Sequence, residues 1–246
     1  RGIPISVEEL DLSQKNGHWI ESSLTSSELP FQELYRHVCV IHGSRILAFG
    51  GYYNNMSSDT VYEIQLKKES PYTSKIVGKM LRPICYHGAV KFADKVYIIG
   101  GIQESATRND VLSTVLEYDL KTNTCKGLKP LDDPVSHTAT TVWNESVIIL
   151  GGKDKNGRVL NTAISYNLNS QRSVKLENMK KERANCTAVT MGDKIVVMGG
   201  EDESGNKLKL AECFNFSTGI WMEFPAKTDA IAYATAVKIK HNVART

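Results

Sequence analysis

The sequence predicts an all-β protein, a β-propeller of about five similar blades with four antiparallel strands each, and two observations predict it. Glycine doublets begin at Gly50, Gly100, Gly151 and Gly199, so that successive doublets lie 50, 51 and 48 residues apart. Each doublet directly follows a short, β-branched apolar run, which is typical of a strand buried on both faces. A repeat of about 50 residues that contains one such doublet is typical of a propeller blade.

Each repeat carries three further strands in the same phase. A first apolar strand precedes the doublet strand across a short polar turn such as Gly192-Asp193, which predicts a tight hairpin. After the doublet come a polar loop, a third strand centred on an aromatic residue such as Tyr118 or Phe214, and a fourth strand that begins at Trp221 in the last repeat. These landmarks predict complete blades at residues 34–80, 84–131, 135–179 and 184–225.

The two ends of the chain each carry part of a repeat. Residues 7–12 and the segment at Trp19 resemble a third and a fourth strand, whereas residues 230–239 resemble a first strand. Residues 1–28 and 230–246 would then join into one further blade, which closes the ring and removes an exposed sheet edge. The alternative is an incomplete six-bladed propeller. In both cases the whole chain of 246 residues is predicted to be a single domain.

The repeat resembles a known family. The glycine doublets, the strand Tyr118-Asp119-Leu120 and the pair of Phe214 with Trp221 across a turn resemble kelch repeats, and the resemblance covers essentially the whole chain. Tryptophan stands at its expected place in only one of the four complete repeats, which is a departure from the kelch pattern. The chain is similar to the kelch domain of kelch-like proteins, which also carry BTB and BACK domains.

This resemblance implies a protein-interaction module with a protein or peptide partner. In the kelch-like family the expected role is substrate recognition for a cullin-3 ubiquitin ligase, reached through a BTB domain that is absent from these residues. Other kelch proteins bind actin, so a cytoskeletal role is the first alternative. A propeller enzyme that modifies sugars is a second alternative, and it would need an acid/base pair in the channel.

Composition and charge exclude several other classes. Thirty basic and 27 acidic residues give a net charge of +3, which is too balanced for a nucleic-acid-binding surface. The chain contains no apolar run of about 18 residues, so no membrane span is expected. Five cysteines without a CxxC pair indicate neither a disulfide framework nor a zinc site, and they predict a reduced, cytoplasmic protein.

Signatures of catalysis are also missing. The chain has no G-x-S-x-G elbow, H-E-x-x-H helix or P-loop, and its glycine doublets lack the strand–loop–helix context of a phosphate site. His37, His87 and His137 recur at 50-residue steps, but this recurrence follows the repeat and places them on different blades. We therefore expect no enzyme activity, no cofactor and no metal.

The phase of the repeat selects candidate binding residues. The residue 14 positions before each of the four doublets falls at an equivalent place on its blade, and Tyr233, 48 residues after Asn185, takes this place in the C-terminal segment. Such positions form a ring around the channel mouth. Tyrosine and arginine, which are enriched at interface hot spots, account for three of its five members. In the kelch-like family this position and the residue after the doublet resemble those that hold substrate peptides. The ring comprises Arg36, Tyr86, His137, Asn185 and Tyr233, and the second set comprises Tyr52, Ile102, Lys153 and Glu201.

Overall fold

The computed structural model describes residues 6–11, 18–25, 34–66, 72–225 and 230–236, in which every regular element is a β-strand. Over these ranges no helix is long and apolar enough to cross a membrane. The strands, numbered along the chain, are β1 (Ser6–Asp11), β2 (His18–Thr25), β3 (Val38–His42), β4 (Arg45–Phe49), β5 (Tyr52–Tyr53), β6 (Met56–Ser57), β7 (Thr60–Gln65), β8 (Tyr72–Lys79), β9 (Gly88–Phe92), β10 (Lys95–Ile99), β11 (Ile102–Glu104), β12 (Asn109–Val111), β13 (Val115–Asp119), β14 (Thr124–Gly127), β15 (Ala139–Trp143), β16 (Ser146–Leu150), β17 (Ala163–Asn167), β18 (Arg172–Lys175), β19 (Thr187–Met191), β20 (Lys194–Met198), β21 (Leu210–Asn215) and β22 (Ile220–Pro225).

Four antiparallel meanders of four strands repeat along the described chain. Their strand orders are β3-β4-β7-β8, β9-β10-β13-β14, β15-β16-β17-β18 and β19-β20-β21-β22. In the first two, the loop between the second and third strands forms a small hairpin of its own, β5-β6 and β11-β12. The predicted all-β class and the four-stranded unit are confirmed.

The hydrophobic core lies in layers between neighbouring sheets. Every side chain of β16 is buried, and the adjacent sheets contribute to shared clusters such as the one that contains Phe49, Ile98 and Tyr118. The rings of Phe49 and Tyr118 meet edge to face with centroids 5.1 Å apart. Because each large apolar side chain contributes roughly 1.5–3 kcal/mol when it is fully buried, these layers supply much of the stability.

The glycine doublets join each blade to the next. The first glycine has a φ of 56° to 62°, and a Cβ atom there would lie 2.1 to 2.4 Å from a carbonyl oxygen of the linker that leads into the next repeat. The second glycine donates its backbone N–H to the same carbonyl, so any side chain at the first position would break this junction. The pairs of second glycine and linker carbonyl are Gly51 with Ile84 (2.8 Å), Gly101 with Val135 (2.8 Å), Gly152 with Arg183 (2.9 Å) and Gly200 with Ile231 (2.8 Å).

The third and fourth strands explain one of the missing tryptophans. Trp221 lies opposite Phe214 in β21–β22, and its Nε1 donates to the carbonyl of Glu177 in the preceding linker, at 2.7 Å. In the previous sheet Tyr166 lies opposite a serine, and its own hydroxyl donates to the carbonyl of Lys129 at 2.8 Å. A tyrosine on the third strand therefore replaces the contact that tryptophan makes from the fourth.

The N-terminal segment forms an antiparallel hairpin that joins the sheet of the first meander. β1 and β2 pair antiparallel from Ser6–Ser23 to Asp11–His18, and β2 meets β8 through two parallel pairs. Residues 1–5, 12–17, 26–33 and 237–246 lie outside the described residues, and the described part of the C-terminal segment, 230–236, is irregular. The fifth blade, and with it the choice between five and six blades, stays a prediction.

Candidate partner-binding site

The five ring residues line one cavity of about 450 Å³ at the mouth of the channel. Each of them has a φ between 53° and 61°, in the left-handed region that residues other than glycine rarely adopt. Four of them lie two positions before a first strand, and Tyr233 lies in the C-terminal segment. The residues are Arg36 (61°), Tyr86 (53°), His137 (56°), Asn185 (54°) and Tyr233 (60°).

Backbone hydrogen bonds fix the spacing of this ring. The N–H of each ring residue after Arg36 donates to the carbonyl of the ring residue one blade earlier. The shape of the mouth is therefore set by main-chain atoms, and the side chains are free to face the cavity. The four bonds run from Tyr86 to Arg36 (3.1 Å), from His137 to Tyr86 (2.9 Å), from Asn185 to His137 (2.9 Å) and from Tyr233 to Asn185 (3.0 Å).

The second set of predicted residues lies beside the ring. Each residue that follows a doublet forms an isolated β-bridge with the residue that precedes a ring residue, with N–H···O bonds in both directions. The two sets, selected separately from the phase of the repeat, are therefore neighbours on one face. The bridges are Tyr35–Tyr52, Cys85–Ile102, Ser136–Lys153 and Ala184–Glu201.

One half of the mouth is aromatic and is centred on Arg36. The Cζ atom of Arg36 lies 5.0 Å from the ring centroids of both Tyr35 and Tyr52 and 4.3 Å from that of Tyr86. The guanidinium also pairs with Glu104 at 3.5 Å. Cation–π contacts of this kind hold a guanidinium in a fixed orientation, so Arg36 is the organising residue of this half.

Tyr86 and His137 extend the aromatic half as neutral groups. Their rings stack with centroids 3.8 Å apart at an angle of 28°. Burial raises the pKa of Tyr86 to about 12, although the charge of Arg36 opposes the shift. Burial, followed by the positive charges of Lys153 and Arg36, lowers the pKa of His137 to about 4. At neutral pH both side chains therefore offer hydrogen bonds and ring faces rather than charge.

The other half of the mouth is polar and is centred on Glu201. Its Oε2 accepts hydrogen bonds from Asn185 Nδ2 at 3.1 Å and from the Tyr233 hydroxyl at 3.3 Å. Burial and the charge of Glu201 raise the pKa of Tyr233, whose side chain stays exposed. Lys153 stands between the two halves, close enough to His137 to influence its pKa.

Sequence reasoning missed two residues of this site, Tyr35 and Glu104. Tyr35 precedes a ring residue, and the bridge to Tyr52 brings the two rings within 5.1 Å. Glu104 lies two positions after Ile102 on β11, so it shares that residue's face of the strand. The period-two pattern of the loop was the only available signal, and nothing in it shows that the loop leans toward the preceding blade.

Two of the recurrent histidines lie deeper. His37 and His87 line both the mouth and a second cavity of about 350 Å³, which continues down the channel between the first strands. Burial, with a smaller effect of His37, lowers the pKa of His87 to about 4. Among the described residues, no group of three or more His, Cys, Asp or Glu side chains is arranged to hold a metal ion.

Comparisons with known proteins agree with this fold. A family model described as the Attractin/LZTR1 beta-propeller matches residues 7–222. Alpha-scruin of Limulus polyphemus is 31% identical over 124 residues, and beta-scruin of the same organism is 28% identical over 124 residues. Each match covers 46% of this chain but 13% of the scruin. The Ras guanine nucleotide exchange factor F of Dictyostelium discoideum is 26% identical over 125 residues, which are 49% of this chain and 11% of that protein.

Similarity to solved structures extends to the architecture. The structure of YjhT superposes with a TM-score of 0.68 at 14% identity, and the match covers 80% of this chain and 67% of YjhT. At that identity the likeness concerns the fold alone. The curated relatives are far longer than the segment they share with this chain, so what those proteins do as wholes does not transfer with the match.

Proposed function

This chain belongs to the Attractin/LZTR1 β-propeller family and is a kelch-type β-propeller, and from that premise we propose that it is a protein-interaction module. Its partner docks on the face that carries the ring residues and the residues after the glycine doublets. The proposed contact residues are Arg36, Tyr52, Tyr86, His137, Lys153, Asn185, Glu201 and Tyr233.

The observation that carries this proposal is the left-handed backbone of all five ring residues. A residue with a Cβ atom costs roughly 1–2 kcal/mol in this region, whereas glycine adopts it freely. Of the five, His137 and Asn185 are of residue types enriched in this region, whereas Arg36, Tyr86 and Tyr233 are not. Side chains held in strained backbone at a cavity support a functional role, because glycine would satisfy the fold at lower cost.

The cavity lining favours binding over chemistry. Cys186 is its only thiol among the described residues, and burial raises the pKa of that thiol to about 11. The imidazoles of His87 and His137 have pKa values lowered to about 4, so they are weak bases. A nucleophile that stays protonated beside weak bases is a poor catalytic pair. We propose that the module acts without a chemical step.

Alanine substitution tests the site. The chain is immobilised and exposed to cell extract, a captured protein is identified, and its affinity is then measured against purified variants. Arg36→Ala and Tyr86→Ala should each weaken binding about tenfold or more, as expected for hot-spot residues. Glu223→Ala, at an exposed residue of the outer strand β22, is the matched control. Unchanged affinity in both ring variants would reject the proposed face.

Two partner classes rest on the kelch resemblance alone. One is the substrate of a cullin-3 ubiquitin ligase, and the other is actin. Co-sedimentation with actin filaments separates them. A module that binds actin pellets with the filaments, whereas a module that binds a ligase substrate stays in the supernatant and captures a different protein from cell extract. A cytoplasmic location is part of the same proposal and is supported by the five cysteines, all of which are unpaired thiols.

A further inference from the structure

The aromatic half of the mouth shows how this fold holds a cation. The guanidinium of Arg36 is surrounded by three tyrosine rings and is paired with one carboxylate, that of Glu104. Carboxylate and ring face together compensate a positive charge that is only partly exposed to water. Within this half, anion and cation are both supplied by the chain itself.

The polar half contains the same carboxylate and ring without the cation. Oε2 of Glu201 is held by Asn185 and by the Tyr233 hydroxyl, whereas Oε1 has no hydrogen bond and no ion pair within the described part of the chain. The side chain of Tyr233 is 67% exposed, so a ring face beside this carboxylate is open. The position is prepared for a positive charge.

Neighbouring charged groups do not fill this position. Lys207 pairs with Glu201 through the backbone, and Lys153 occupies the equivalent place on the previous blade, yet neither forms an ion pair with Glu201. The carboxylate of Asp202 accepts N–H groups of its own loop, and Glu203 accepts the N–H of Val159. These acids are engaged elsewhere, so Glu201 is the carboxylate in contact with Asn185 and Tyr233, which line the cavity.

We propose that Glu201, Asn185 and Tyr233 form a cation subsite that receives an arginine or lysine side chain of the partner protein. The incoming group donates to Oε1 of Glu201 and lies over the ring of Tyr233, as Arg36 does among its tyrosines. This inference rests on the proposed function and specifies the chemistry of the partner at one place on the mouth: a basic residue is required there.

The test uses the whole chain and a defined probe. Amide chemical shifts of the isotope-labelled protein are followed while N-acetyl-Gly-Arg-Gly-amide is added, and the titration is repeated with the citrulline peptide, which has the same shape and no charge. We expect shifts at Asn185, Glu201 and Tyr233 with the arginine peptide and none there with the citrulline peptide. Raising the salt concentration should weaken the effect.

Matched variants decide the assignment. Glu201→Gln should reduce affinity for the arginine peptide about tenfold, because a charge-assisted bond is lost, while Glu203→Gln should leave it unchanged. The amide spectrum of each variant reports whether the fold is intact. Shifts that centre on Asp202 and Glu203, or that survive Glu201→Gln, would overturn the subsite. If ring alanines abolish partner binding and Glu201→Gln does not, the proposed function stands and the subsite alone fails.

Discussion

A buried ion pair in the fourth blade tests whether apolar side chains can replace two buried charges without loss of stability. Arg183 and Glu212 are both fully buried, with the guanidinium bonded to the carboxylate and to the carbonyls of Gly199 (2.8 Å) and Leu210 (3.1 Å). Glu212 also accepts two backbone N–H groups from the linker at residues 180–181. The pair therefore ties that linker to β21.

The other blades carry no charge at these two positions. The residue two before each ring residue is Leu34, Ile84 or Val135 where the fourth blade has Arg183. Glu212 lies on the third strand of its blade and pairs with the last residue but one of the second strand. The residues that pair in the same way in the other blades are Tyr62, Leu116 and Ile164. The chain itself thus shows that an apolar pair fits the same backbone.

We predict strong coupling between these two positions. Arg183→Ile or Glu212→Leu alone leaves an uncompensated buried charge and should lower the free energy of unfolding by about 3–5 kcal/mol. Arg183→Ile combined with Glu212→Leu leaves no charge behind. It should therefore cost no more than about 1–2 kcal/mol, for the lost bonds to the backbone groups.

Urea unfolding at neutral pH, followed by circular dichroism, measures all three variants, with the exposed change Glu223→Gln as the reference for a neutral substitution. The difference between the double variant and the sum of the single variants should be at least about 4 kcal/mol. A double variant that loses about 6–10 kcal/mol, the simple sum of the two losses, would refute the reasoning.

Three further predictions concern backbone and protonation. Gly151→Ala should destabilise the protein by about 3 kcal/mol or more, because Gly151 has a φ of 59° and its Cβ would lie 2.2 Å from a linker carbonyl. Gly157→Ala, at a φ of 82° with open space around it, should cost about 1–2 kcal/mol. Equal shifts of the two variants in thermal unfolding would contradict this. Tyr86→Gly should be about 1 kcal/mol more stable than Tyr86→Ala while both lose partner affinity equally, which unfolding and binding assays compare directly. The stability that neutral His87 contributes is fully present above its ordinary pKa of 6.5 and is lost as the pH falls through its folded value of about 4, a total of about 3 kcal/mol. His87→Leu should therefore remove this part of the pH dependence of the free energy of unfolding between about pH 8 and pH 4. An unchanged pH dependence would show that the burial of His87 is not its cause.

The period of the repeat made the fold and the ring accessible from sequence. Because one doublet recurs in one phase, equivalent residues can be found by counting, and counting back from the doublets selected residues that share one cavity. The left-handed backbone at these residues was not accessible, since Arg36, Tyr86 and Tyr233 are types that indicate no such conformation. Local sequence preference failed where the next blade determines the backbone.

Contacts between blades were the part that counting could not reach. Glu104 joins the site because β11 leans toward the first blade, where Ser57 Oγ donates to the carbonyl of Glu104 at 3.1 Å. Likewise, Arg183 and Glu212 stand together where the other blades have uncharged residues, and the two lie 29 residues apart in the sequence. Phase identifies which positions are equivalent, but it does not show which neighbours meet across a gap.

The main-chain bonds around the mouth separate recognition from folding. Tyr86, His137 and Asn185 use both their N–H and their carbonyl to hold the neighbouring blades, while Arg36 contributes its carbonyl and Tyr233 its N–H. The left-handed backbone at these residues does not depend on which side chain they carry. Replacing a ring side chain therefore changes the chemistry of the cavity more than its shape. This explains how one mouth holds an internally neutralised arginine on one side and an unpaired carboxylate on the other. It also means that substitutions at the ring report on partner chemistry, whereas substitutions at the doublets report on the fold.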